Sequence, residues 1–135
     1  MSTKLETIEG IGPATADKFR AADVDTVEEL LQNGASSSGR NALAKATGLT
    51  ASRILTLVNM ADLMRIKGVG GEYAELMQAS GVDTVKELRN RNAENLAAKM
   101  AEVNAEKELT RRVPSASVVS GWVDEAKTLD PVVTH

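Results

Sequence analysis

Hydrophobic positions along this chain recur three and four residues apart. Positions 54, 57, 58, 61 and 64 are apolar, and Leu96, Met100 and Val103 follow the same spacing. This spacing places apolar side chains on one face of a helix. No run of alternating β-branched residues indicates a strand, so the pattern predicts an all-α fold. The expected helices lie near residues 3–8, 13–22, 26–33, 40–47, 51–65, 71–80, 84–91, 93–110 and 116–128.

The pattern also repeats on a larger scale. Residues 7–30 recur at 65–88, and Thr26 and Thr84 each stand three residues before a glutamate, as in a capping box. Residues 50–61 align with 115–126. Such a duplication predicts two pseudo-symmetric lobes in one compact bundle, at residues 1–64 and 65–129. We expect a loop at residues 33–39 and a disordered tail at 130–135.

Composition narrows the possible functions. The 135 residues carry a formal net charge of −3, contain no cysteine, and have one histidine, His135. Disulfides and thiolate metal sites are therefore excluded, and no nucleophile stands with a partner base in a recognisable arrangement. No apolar run approaches the ~20 residues of a membrane span. These observations predict a soluble, cytoplasmic, non-catalytic protein with no metal and no cofactor.

Two glycine-rich kernels carry the candidate chemistry. Residues 8–16 read Ile8-Glu-Gly-Ile-Gly-Pro-Ala-Thr-Ala16, and the corresponding glycines of the second copy are Gly68 and Gly70. The first kernel resembles the helix-hairpin-helix motif of DNA repair and recombination proteins. Residues 25–30 and 43–54 resemble the small N-terminal domain of RecA-like recombinases, with Gly48-Leu49-Thr50 as a weaker second turn. The whole chain resembles a bacterial helix-hairpin-helix family of unknown function.

This resemblance implies that each hairpin binds one nucleic-acid phosphate through backbone amides at a helix N-terminus. The first phosphate would contact the amide of Ala14 and the residues Gly10, Ile11 and Gly12. The second would contact Gly68, Val69, Gly70 and Gly71. Thr15 and Lys18 would add side-chain contacts. Such contacts position a protein on a backbone and read no sequence.

Charge leaves two functions open. Residues 7–32 contain two basic and six acidic residues, which opposes phosphate binding. Residues 40–67 favour it, because Asp62 is the one acidic residue among five basic ones: Arg40, Lys45, Arg53, Arg65 and Lys67. A second basic cluster, at residues 89–112, is diluted by glutamates. We therefore expect a module that binds the backbone of DNA or RNA without sequence specificity. The alternative is a protein–protein adaptor that keeps the scaffold without the phosphate contacts.

Overall fold

A computed structural model describes residues 2–135, so Met1, the first residue of the predicted first lobe, lies outside them. The described chain forms a 3-10 turn at Leu5–Thr7 and eight α-helices. The helices are α1 (Pro13–Ala21), α2 (Val27–Gly34), α3 (Ser37–Thr47), α4 (Ala51–Leu63), α5 (Gly71–Ala79), α6 (Val85–Leu88), α7 (Ala93–Lys107) and α8 (Ala116–Ala126). Within residues 2–135, β-structure is limited to an isolated antiparallel bridge between Lys4 and Thr26. The predicted all-α fold is confirmed.

Most predicted helices agree with the structure to within a few residues, but the loop expected at residues 33–39 is wrong. Helix α2 continues to Gly34, and α3 begins at Ser37 because the Ser36 hydroxyl accepts a hydrogen bond from the Gly39 amide at 3.1 Å. A Cβ atom on Gly39 would overlap the Asn33 carbonyl oxygen, so glycine permits the close approach of the two helix ends. Three serines and a glycine resemble a linker, yet one serine supplies a helix cap.

The chain divides into two compact units. Unit 1 comprises the described residues up to Asp62 together with Val132–His135, and unit 2 comprises Leu63–Pro131. Side chains with almost no exposed surface form the interior of each. In unit 1 the largest are Leu5, Ile8, Phe19, Leu30, Ile54 and Leu57. In unit 2 they are Leu63, Ile66, Leu76, Met77, Leu88 and Leu96. Apart from Phe19, these largest interior side chains are aliphatic or methionine, as expected for packed helices.

The backbone itself repeats at the spacing seen in the sequence. The C-terminal residue following α1, Ala22, has φ −98° and ψ 17°, and its counterpart Ser80 after α5 has −94° and 5°. The caps of the next helices also match, with φ −134° at Thr26 and −136° at Thr84. The same local fold is thus built twice, while the pseudo-symmetric packing of two lobes stays a prediction.

The last residues have defined contacts, although the sequence predicts disorder there. Val133 is buried, and the Thr134 amide donates to the Ala35 carbonyl at 2.8 Å. The Thr134 carbonyl accepts a hydrogen bond of 2.6 Å from Arg40. Residues 133 and 134 therefore pack against unit 1 at the junction between α2 and α3.

A glycine in α8 provides a stability test. Gly121 lies inside the helix, is exposed, and has open space where a Cβ would stand. We expect Gly121→Ala to raise the free energy of unfolding by about 0.5–1 kcal/mol, because alanine restricts the unfolded chain and favours the helix. Urea denaturation measures this. The contrasting variant is Gly34→Ala, whose Cβ would overlap Val58. We expect this variant to lower the free energy of unfolding by about 1–3 kcal/mol. A loss of stability in Gly121→Ala would contradict the exposed position of this helix face.

Candidate functional site

The first glycine turn, residues 10–13, joins the 3-10 turn to α1. Gly10 has φ +95°, in the left-handed region that favours glycine, and the Ile11 amide donates back to the Ile8 carbonyl at 3.1 Å. Gly12 then takes an extended conformation, with φ −91° and ψ −177°, and serves as the N-cap of α1. Pro13 occupies the first helical position, where its missing amide hydrogen has no cost.

The second glycine turn, residues 68–71, has the same geometry. Gly68 has φ +91°, the Val69 amide donates to the Ile66 carbonyl at 3.1 Å, and Gly70 has φ −94° and ψ −170°. One difference matters for binding. Gly71 stands where the first turn has Pro13, so the second turn has one more backbone amide at the start of its helix; Gly71 is largely buried but still lines the cavity described below.

These two turns differ from every other helix start in the described chain. Helices α1 and α5 have no side-chain cap, because their N-cap residues are Gly12 and Gly70. Each remaining α-helix in residues 2–135 begins with a polar side chain that accepts a hydrogen bond from its first turn. These capping residues are Thr26, Ser36, Thr50, Thr84, Asn92 and Ser115.

Uncapped helix starts leave backbone donors available. Among residues 2–135, no acceptor pairs with the amides of Gly12, Ala14 and Thr15 in the first turn. The same holds for the amides of residues 70–73 in the second turn. Both turns are exposed at Gly12 and Gly70. Aligned amides at a helix N-terminus carry a partial positive charge and suit an anion.

Ile11 and Val69 do not belong to this donor set. Their side chains are buried, with 4% and 5% of their surface exposed, and their amides are engaged inside the turns. The prediction that they contact phosphate is therefore corrected. Each residue instead anchors its turn to the interior and holds the neighbouring glycines in place.

Arg53 is the basic side chain that the structure places against the first turn. Its Nη2 donates to the Gly10 carbonyl at 2.8 Å and lies 3.3 Å from the position that a Gly10 Cβ would occupy. The side chain comes from the first turn of α4 and is exposed. A positive charge thus lies beside Gly10 in the first turn.

The other predicted contacts are less closely placed. Thr15 is half-buried in the first turn of α1, and Lys18 is exposed near the end of that helix. Lys45 is exposed in the last turn of α3, and Lys67 is exposed immediately before the second turn. The weaker turn at residues 48–50 is closed, since the Thr50 hydroxyl caps α4.

Arg40 must be removed from the candidate contacts. Only 5% of its surface is exposed, and its guanidinium donates to the carbonyls of Gly34, Ala35 and Thr134 at 2.9, 3.0 and 2.6 Å. All three acceptors are backbone groups of unit 1. Arg40 therefore joins the α2–α3 junction to the C-terminal residues and presents no charge to a ligand.

The sequence did not single out a pocket at the second turn. A cavity of about 370 Å³, which we call the second-turn pocket, is lined by glycines 68, 70 and 71, by Glu72 and Tyr73, and by Thr110, Arg111 and Arg112. The Tyr73 hydroxyl donates to the Arg112 carbonyl at 3.1 Å, which fixes the loop after α7 beside the turn. Arg111 and Arg112 follow Gly68 by about forty positions, so no local pattern links them to it.

Carboxylates also stand near both turns. Glu9 is exposed just before Gly10, and Glu125 accepts hydrogen bonds from the Lys67 amide at 3.1 and 3.2 Å.

Glu28, away from the two turns, is held by hydrogen bonds within unit 1. Burial raises the pKa of Glu28, but hydrogen bonds from the Thr3 amide and hydroxyl, both 2.8 Å, outweigh it and hold that pKa below its usual range. Glu28 is therefore a fixed anion on α2 at neutral pH.

Two further features bear on function. In the described residues, no group of three or more histidine, aspartate or glutamate side chains is placed to hold a metal ion. None of the helices there is both long enough and apolar enough to cross a lipid bilayer.

The fold and site define an all-α protein in which two matching glycine turns each open onto an uncapped helix. The chain belongs to the family described as domain of unknown function DUF4332, whose sequence profile matches residues 9–129. No curated protein and no solved structure matches the chain.

Proposed function

We propose that this protein is a non-catalytic module that binds the sugar-phosphate backbone of nucleic acid without sequence specificity. The observation that carries the proposal is the pair of uncapped helix starts at Gly12 and Gly70, in a chain whose other described α-helices all have side-chain caps. A helix start normally satisfies its free amides with a polar side chain. Retaining glycine at both turns keeps those amides open for an external anion.

The surroundings of the turns support the same assignment. Arg53 stands beside the first turn, and Arg111 and Arg112 line the pocket at the second. The resemblance of residues 8–16 to the helix-hairpin-helix motif gives such turns a phosphate as their ligand. Amide and arginine contacts to phosphate carry no base information, so binding would depend on charge and shape. With a net charge of −3, we expect micromolar or weaker affinity at physiological salt.

The test is a fluorescence anisotropy titration with labelled single-stranded and double-stranded oligonucleotides. We expect affinity to fall roughly 10- to 100-fold between ~50 and ~200 mM salt if two to four phosphates are neutralised. Arg53→Glu and Lys67→Glu should each weaken binding by on the order of 10-fold at the lower salt, because each reverses a charge beside a turn.

Two control variants separate charge from folding. Arg53→Gln removes the charge but keeps an amide donor for the Gly10 carbonyl, so it should weaken binding less than Arg53→Glu. Lys99→Glu makes the same charge change on the exposed face of α7, outside both turns, and should leave affinity within about 2-fold. Absence of binding at ~50 mM salt would refute the proposal.

A second candidate function is a protein–protein adaptor. Val113, just before α8, and Val118, within it, are large apolar side chains with 37% and 46% of their surface exposed. Exposed apolar groups favour a protein partner over a polyanion. This alternative predicts that oligonucleotides do not bind at either salt concentration, and that Val118→Lys abolishes capture of a protein partner.

A further inference from the structure

The second-turn pocket contains more hydrogen-bond donors than contact with one internal phosphate of a nucleic-acid backbone needs. Its volume is about 370 Å³, at the lower end of the range for small-ligand sites. One wall is the start of α5, where the amides of residues 70–73 have no acceptor among residues 2–135. The opposite wall is the loop after α7, which carries Arg111 and Arg112.

Both arginines are available to a ligand. Their side chains are exposed, and within the described part of the chain neither guanidinium makes a hydrogen bond or an ion pair. The loop itself is held in place, because the Arg112 carbonyl accepts hydrogen bonds from Tyr73 and Thr110, both at 3.1 Å. Two exposed charges therefore extend from a fixed backbone beside the free amides.

A further hydrogen-bond donor lies against the same turn. Trp122 has 5% of its surface exposed, and its indole Nε1 lies 3.5 Å from the position that a Cβ on Gly68 would occupy. No acceptor for this N–H occurs among residues 2–135. This N–H keeps some accessible surface although the side chain is largely buried, and an anion at the turn would supply its acceptor. At the first turn the corresponding place is taken by Arg53, which already has Gly10 as its acceptor.

Two carboxylates near these donors would repel an anion. Glu125 is engaged by the Lys67 amide, so its charge is partly compensated. Glu72 lines the pocket and opposes an anion directly. The two arginines and the helix start still outweigh one carboxylate.

We infer that the second-turn pocket binds a phosphomonoester, the doubly charged terminal phosphate of a nucleic-acid strand or of a free nucleotide. This inference rests on the proposed phosphate contact at the second glycine turn and makes it more specific. A phosphomonoester presents three terminal oxygens and close to two charges near neutral pH, whereas an internal phosphodiester carries one. Two arginines and the additional Gly71 amide match the larger charge and the larger number of acceptors.

The test compares two single-stranded oligonucleotides of identical sequence, one with a 5′-phosphate and one with a 5′-hydroxyl. Trp122 is the one tryptophan of the chain and adjoins Gly68, so its fluorescence reports directly on this turn. We expect the 5′-phosphorylated strand to bind on the order of 10-fold more tightly, as one additional charge-assisted hydrogen bond would produce. A nucleoside 5′-monophosphate should compete with it.

Charge variants predict the direction in which binding of the 5′-phosphorylated strand changes. The double variant Arg111→Gln, Arg112→Gln should remove the preference for the 5′-phosphate, while Glu72→Gln should strengthen binding several-fold by removing the opposing carboxylate. Lys99→Gln removes a charge elsewhere on unit 2 and should leave the preference intact. Circular dichroism confirms that each variant is folded.

The outcomes separate this inference from the proposed function. Equal affinity for the two strands, with no competition by the nucleotide, overturns the pocket assignment while backbone binding stands. Binding of the nucleotide but of neither strand supports the pocket, assigns it to a free nucleotide, and refutes nucleic-acid binding. Binding of none of these probes overturns both. The pocket assignment is supported if the preference for the 5′-phosphorylated strand increases in Glu72→Gln and is lost in the Arg111→Gln, Arg112→Gln double variant.

Discussion

Replacing Arg40 with alanine should destabilise the protein by about 3 kcal/mol, because three backbone carbonyls would each lose a hydrogen bond and only that of Ala35 would keep another, from the Thr134 amide. The Gly34 carbonyl is buried, so water would not readily replace the guanidinium. Urea denaturation followed by circular dichroism measures the change in the free energy of unfolding. We expect Arg40→Lys to fall between alanine and the native residue, since an ammonium reaches fewer of these acceptors.

The matched control is Lys45→Ala in the same helix. Lys45 is exposed, so its removal should change stability by no more than about 0.5 kcal/mol. Oligonucleotide affinity should be unaffected by Arg40→Lys wherever the variant is folded. A variant of Arg40 that keeps full stability and loses affinity would show that its guanidinium reaches a ligand, contrary to the buried contacts described above.

Capping both turns with serine should increase stability and remove binding together. Gly12 and Gly70 have extended backbones, and a Cβ on either meets nothing within 4 Å. A serine hydroxyl there can accept a hydrogen bond from the first turn of its helix. We expect each of Gly12→Ser and Gly70→Ser to add about 0.5–1 kcal/mol, chiefly by restricting the unfolded chain. The double variant should bind oligonucleotides roughly 100-fold more weakly, at about 10-fold per turn.

Alanine at the same positions separates capping from bulk. Gly12→Ala and Gly70→Ala add a methyl group without an acceptor, so they leave the amides unpaired and should weaken binding less than serine does. Denaturation and anisotropy titrations are run on the four single variants and on the double serine variant. Native affinity in stabilised serine variants would exclude the amides as the binding groups.

The local structure could be predicted because its signals are local. Thr26 and Thr84 each mark a helix start with a glutamate three residues on, and both caps form as expected. The repeated glycines predict two equal turns, and Gly10 and Gly68 differ by only a few degrees in φ, at +95° and +91°. Short-range pattern and glycine conformation together determine these features.

The rest of the candidate site depends on contacts distant in sequence. An arginine looks the same in a sequence whether it is buried or exposed, so the three carbonyl partners of Arg40 could not be anticipated. Likewise, the approach of the Arg111–Arg112 loop to Gly68 is set by the Tyr73–Arg112 hydrogen bond. The excess of glutamates nearby made that basic cluster resemble an ordinary solvated surface.

The single tyrosine and the single tryptophan of the chain touch each other, with ring centroids 5.2 Å apart. Both belong to unit 2, so unit 1 contains neither tryptophan nor tyrosine and contributes no comparable ultraviolet emission. A thermal melt followed by emission therefore records unit 2 alone, whereas a melt followed by far-ultraviolet dichroism records all eight helices of residues 2–135. Coincidence or separation of the two melting curves tells directly whether the two units unfold as one cooperative body.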